Sequence, residues 1–108
     1  MNKKLISKNH FHFIGIGGIG MSAIAMALIK KGYSVSGSDL VQNKETKSLK
    51  RLGAIIFDSQ IKKNIDFVIS KFQNHAVNCV ISSAIKDENE ELYFCKKNNL
   101  LIKHRSEI

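Results

Sequence analysis

The chain contains no proline and no tryptophan, only two cysteines, and only two arginines among its seventeen basic residues. Without proline, no helix or strand interior is forced to break, so a long alternation of regular elements is open to it. Cys79 and Cys95 are too few and too far apart for a disulfide framework or a zinc knuckle; two inert core thiols in a reducing cytoplasm are expected instead. No apolar run reaches the roughly 18 to 20 residues of a membrane span, and no secretory leader pattern opens the chain, so no membrane partner is expected. The scarcity of arginine tempers the formal net charge of +8. Specific phosphate and base readout leans on bidentate Arg, whereas the excess here is lysine in a chain rich in Ile and Asn, and no nucleic-acid partner is expected.

Chemical motifs are missing too. There is no G-x-x-x-x-G-K-[ST] phosphate loop and no recurrent pairing of a nucleophile with a base, so no catalytic residue is assigned. His10 and His12 stand two apart, as a metal pair on one strand face would, but no third ligand accompanies them and no metal site is assigned. His10 is expected to meet solvent at the start of a strand, and His12 to be partly buried and hydrogen-bonded.

At 108 residues and 44% apolar content the chain has enough material for one core and one domain spanning 1–108. Its punctuation is glycine. A strand is expected over 11–16, then a helix from Gly18 to Lys31 with Met21, Ile24, Ala25, Leu28 and Ile29 on one face and Gly32 closing it. A second strand over 33–38 ends at Asp39. A polar helix near 45–52, closed by Gly53, leads to a strand over 54–57. Ile61, Ile65, Val68, Ile69 and Phe72 share a face of a third helix, followed by a fourth strand at 79–82, a helix over 88–98 with Leu92 and Cys95 inward, and a fifth strand at 100–102. Alternation of this kind with short links predicts an α/β fold, a Rossmann-like, doubly wound parallel sheet of about five strands.

Ligands of such sheets lie beyond the carboxyl ends of the strands. That rule selects Gly15 to Gly20, Ser38-Asp39, the turn after Phe57, Ser82 to Ile85, and the His104-Arg105 end. Gly15, Gly17 and Gly20 fit G-x-G-x-x-G between a strand and a helix, where free amides and the helix dipole favour a diphosphate. Asp39 follows Gly20 by nineteen residues, the spacing of an acid that accepts ribose hydroxyls. Read this way, the chain holds a nucleotide, and an NAD(H)-binding oxidoreductase or regulatory domain satisfies the same fingerprint. The doubled Gly17-Gly18 lies outside that fingerprint.

The string from His12 to Ser22, with Gly17-Gly18 followed by Gly20-Met21, and then Ser36-Gly37-Ser38-Asp39, resembles the amino-terminal domain of the Mur ligase family. Leu52-Gly53-Ala54, Ser82-Ser83-Ala84-Ile85, Asn89 to Leu92 and Arg105-Ser106-Glu107 extend the likeness over nearly the whole chain. The resemblance implies that Gly15, Gly17, Gly18, Ile19, Gly20 and Met21 hold the diphosphate of UDP-N-acetylmuramic acid. It places Ser38, Asp39 and Leu40 at the uridine, Ser83 and Ala84 beside the nucleotide, and Arg105 within reach from the last strand. It further implies an ATP-dependent, magnesium-assisted ligase that joins L-alanine to the muramate carboxylate in peptidoglycan precursor synthesis. The ATP-binding and carboxy-terminal domains would lie outside these residues, leaving this fragment alone inactive. Three departures stand out: Ile19 and Met26 replace what are often a small residue and a Glu, Ser59-Gln60 stands where many members have Gly-His, and the 62–78 segment is longer than usual, which leaves the edge of the sheet unassigned.

Overall fold

A computed structural model describes residues 8–108. Five strands and four helices alternate: β1 (Asn9–Ile14), α1 (Met21–Lys30), β2 (Ser34–Ser38), α2 (Lys44–Arg51), β3 (Ile55–Phe57), α3 (Lys62–Lys71), β4 (Ala76–Ile81), α4 (Glu90–Lys97) and β5 (Leu101–His104), followed by a short 3-10 turn over Arg105–Glu107. All strand pairs are parallel, in the order β3-β2-β1-β4-β5. The order reverses between β1 and β4, so the two crossovers diverge there and open a crevice at the strands' carboxyl ends.

The period of two along the strands sorts the core into two layers. Phe13, Val35 and Val80 pack with Met21, Ala25 and Leu28 of α1 and Leu49 of α2. On the other face Ile14 and Cys79 pack with Ile65 of α3 and Leu92 and Cys95 of α4. Each layer removes aliphatic and aromatic surface from water, worth roughly 1.5–3 kcal/mol per large side chain.

Element ends differ from expectation by a few residues, for visible reasons. β1 stops at Ile14 because Gly15 turns the backbone to φ 85°. β4 begins at Ala76, whose amide donates to the Lys8 carbonyl in continuation of the β1 ladder. The 62–78 segment forms α3, a turn and the first residues of β4, which pairs with β1 in the middle of the sheet; the edges are β3 and β5. Ile61 is the cap residue of α3 and 40% exposed, while Asn64 takes a buried place on that helix.

Candidate functional site: a glycine loop at the strand switch point

The loop from β1 to α1 hangs from a single carbonyl. Ser38 at the end of β2 accepts both the Gly15 amide (2.8 Å) and the Ile16 amide (3.0 Å), and the Gly18 amide closes a turn onto the Gly15 carbonyl at 3.0 Å. Gly20 then takes φ 83° and begins the helix, a conformation that side chains disfavour. The Gly17 amide donates to Asp39 Oδ2 at 2.8 Å. Among the described residues, the Ile19 and Gly20 amides have no internal acceptor. They stand at the positive end of α1, where an anion is favoured.

Asp39 is committed on both sides of its carboxylate, since Oδ1 accepts from the Val41 amide at 3.0 Å. Asn43 supports the same corner. Its Oδ1 caps α2 by accepting from the Thr46 amide (2.9 Å), while its Nδ2 donates to the Gly17 carbonyl (3.1 Å). A Cβ on Gly17 would stand 2.9 Å from both Asp39 Oδ2 and Thr46 Cγ2. The second glycine of the fingerprint therefore serves packing within the chain, in addition to any approach by a ligand.

A cleft of about 350 Å³ lies at the switch point, lined by Gly15, Gly18, Ile19, Met21, Asp39, Ser82 to Ile85, and Arg105. Ser82 shapes its far wall by accepting the Ala84 amide on Oγ (3.3 Å) and the Ile85 amide on its carbonyl (3.1 Å). Arg105 reaches across from the end of β5, its Nη1 standing 2.7 Å from where a Gly20 Cβ would be. No carboxylate pairs with that guanidinium among the described residues. Free amides, a helix amino terminus and an unpaired guanidinium thus converge on one side of the cleft. Hollows of about 390 and 360 Å³ also occur, one between α1 and α2 and one beside β3. Neither reaches the switch point.

The fold brings eight of the twelve residues singled out in the sequence into the cleft wall: Gly15, Gly18, Ile19, Met21, Asp39, Ser83, Ala84 and Arg105. Gly17 and Gly20 are in the loop behind it. Ser38 is fully buried and turns its hydroxyl away, donating to Glu91. Leu40 stands outside, 70% exposed, and Ile19 at the loop tip is 99% exposed.

The expectation of a solvent-facing His10 is overturned. His10 is fully buried, with Nδ1 at 2.8 Å from Ser34 Oγ and Nε2 at 2.7 Å from Ser36 Oγ. Burial, and then the neighbouring charges of His12 and His75, push its pKa from 6.5 to about 3. Phe72 stacks on its ring at 3.7 Å between centroids. His12 is also buried, between Ser36 Oγ (2.7 Å) and Glu91 Oε1 (2.8 Å). The reason lies in register: Ser34, Ser36 and Ser38 share with His10 and His12 the sheet face that α3 and α4 cover. The sequence reading missed Glu91, Asn64 and Asn43. The signal for the first two was the period-two stripe of His and Ser, which a doubly wound sheet must bury and therefore satisfy. Cys79 and Cys95 are buried as expected, and the hydrogen bond to Cys95, reinforced by burial, raises the Cys79 thiol well above its ordinary pKa.

A family model described as "Mur ligase family, catalytic domain" matches residues 10–108. The chain is 91% identical over 108 residues to the UDP-N-acetylmuramate--L-alanine ligase of Prochlorococcus marinus subsp. pastoris, covering all of this chain and 23% of that protein. It is 54% identical over 99 residues to the protein of the same name from Prochlorococcus marinus strain NATL1A, covering 92% of this chain and 20% of the other. The solved UDP-N-acetylmuramate-alanine ligase of Thermotoga maritima superposes with a TM-score of 0.74 at 28% identity, over 91% of this chain and 21% of that one. The chain thus spans about a fifth of the length of the curated relatives it matches.

Proposed function

The chain belongs to the Mur ligase family, and from that premise we propose that it holds the UDP moiety of UDP-N-acetylmuramic acid for an ATP-dependent ligase that adds L-alanine to the muramate carboxylate. The observation that carries this reading is the convergence of the glycine loop, Asp39, Ser83-Ala84 and Arg105 on one cleft at the switch point. In it the diphosphate takes the Ile19 and Gly20 amides and the Arg105 guanidinium, a charge-assisted donor of the fork type that suits phosphate oxygens. Gly15, Gly17, Gly18 and Met21 hold the loop in that shape. Ser83 and Ala84 leave room for the nucleotide, and Ser38, Asp39 and Leu40 form the uridine side, with Ser38 acting through its backbone.

ATP and magnesium belong to the full-length enzyme. Residues 1–108 contain no G-x-x-x-x-G-K-[ST] sequence, and the described residues hold no cluster of three His, Cys, Asp or Glu placed to bind a metal ion. The role proposed for this chain is to orient one substrate. No described helix is long and apolar enough to cross a membrane; with two free buried thiols, the chain suits the cytoplasm. The NAD(H) reading is not favoured: the relatives are named as ligases.

The test is a titration of the isotopically labelled chain with UDP-N-acetylmuramic acid, followed by amide NMR, with NADH in parallel. Shifts at Gly18 to Met21, Asp39, Ser83 and Ala84 are expected, with Arg105→Ala weakening binding about tenfold, as for loss of a charged hydrogen bond. Silence of these amides at millimolar ligand, or an equal response to NADH, would refute the reading.

A further inference from the structure

We infer that Glu91 is the positioning residue of the glycine loop, holding through Ser38 the carbonyl on which the loop is hung. Glu91 lies in the first turn of α4, where a carboxylate ordinarily stays in water. Its neighbour Glu90 does so, exposed and accepting the Lys62 amide at 2.6 Å. Glu91 instead is fully buried. Its Oε1 takes the Ser38 hydroxyl at 2.7 Å and His12 Nε2 at 2.8 Å, and its Oε2 takes Asn64 Nδ2 at 2.6 Å. A buried carboxylate is tolerated only when its lone pairs are met, and here the donors come from β2, β1 and α3. Glu91 therefore ties the carboxyl end of β2, at Ser38, and the middle of β1, at His12, to both helices of that layer, and Ser38 is the residue whose carbonyl receives Gly15 and Ile16.

The rest of the chain of bonds makes the anchor directional. Ser36 has one hydroxyl hydrogen and stands 2.7 Å from both His12 Nδ1 and His10 Nε2. It can donate to only one of them. With one proton on each ring and His12 Nε2–H given to Glu91, Ser36 donates to His12, His10 donates to Ser36, and Ser34 donates to His10. Every donor in the series then points toward Glu91. An amide in place of the carboxylate cannot end that series: it would set an NH2 against either the His12 and Ser38 donors or Asn64 Nδ2, which also donates to the Ser59 carbonyl at 2.8 Å.

The experiment is residue-resolved hydrogen exchange on the 108-residue chain, comparing wild type with Glu91→Gln, Ser38→Ala and Glu90→Gln. In Glu91→Gln the Gly15 and Ile16 amides should lose about tenfold more protection than the Val80 amide, which reports global stability. Ser38→Ala cuts the same link without touching the buried charge and should reproduce the local loss, so the question is decided even where Glu91→Gln fails to fold. Glu90→Gln should leave both amides as in wild type. Loss at Gly15 and Ile16 no greater than at Val80 in Ser38→Ala overturns the inference. Its consequence for UDP-N-acetylmuramic acid, an about tenfold weaker affinity in Ser38→Ala, rests on the proposed function. Failure of the wild type to bind would sink that function while leaving the exchange result readable.

Discussion

Acidification should destabilise this protein through His10. The imidazole is buried and surrounded by Ser34, Ser36, Phe72 and the neighbouring His12 and His75, and its pKa stands at about 3 instead of 6.5. Between those values the unfolded chain binds a proton that the native chain does not, so stability rises with pH across the window. The contribution is fully present above pH 6.5 and is lost as the pH falls toward 3. At pH 5.5 the loss is about 1 kcal/mol and at pH 4.5 about 3 kcal/mol, on the order of 1.4 kcal/mol per pKa unit. Against a typical total of roughly 5–15 kcal/mol, the second figure is large. The assay is urea unfolding at pH 7.5, 5.5 and 4.5 for wild type and His10→Gln. The variant loses stability at every pH because it disturbs the serine hydroxyls that His10 partners, but its curve should be flatter than that of wild type by about 3 kcal/mol between pH 7.5 and 4.5. Parallel curves, or an NMR titration of His10 with a midpoint near 6.5, would refute the reasoning.

Two further outcomes are expected. Gly37→Ala would place a Cβ 2.5 Å from Ile16 Cδ1 and 2.6 Å from its Cβ; the overpacking should cost about 1–3 kcal/mol and lower the thermal midpoint by several degrees, and an unchanged midpoint would show that Ile16 yields freely. Cys79 should resist maleimide at pH 8 in the native chain and react only after unfolding, because it is buried, hydrogen-bonded to Cys95 and raised in pKa; labelling of the native chain at the rate of a free thiol would contradict that.

Most of the fold was legible because its signals are local. The Met21 to Ile29 stripe marks α1, the glycines at 32 and 53 mark helix ends, and the alternation of elements leaves few topologies besides a doubly wound sheet. The glycine loop was legible for the same reason, as a fixed spacing between a strand and a helix. Reading the role of each glycine was less direct. Gly17 has the place in the motif that a ligand would approach, yet its missing side chain is filled by Asp39, Asn43 and Thr46, from a segment more than twenty residues away.

By itself, then, the sequence determined the order of elements, the parallel sheet and the place of the candidate site, the cleft at the carboxyl ends of the strands, since periodicity and turn chemistry act between near neighbours in the chain. Tertiary structure alone decided that His10 is buried, that Asp39 Oδ2 is bonded to the Gly17 amide, and that Glu91 sits beneath Ser38, fifty-three residues away in sequence. Nothing local distinguishes Glu91 from Glu90. One helical step rotates a side chain by about 100°, enough to turn one carboxylate to water and the next into the core, and only the packing of α4 on the sheet selects which.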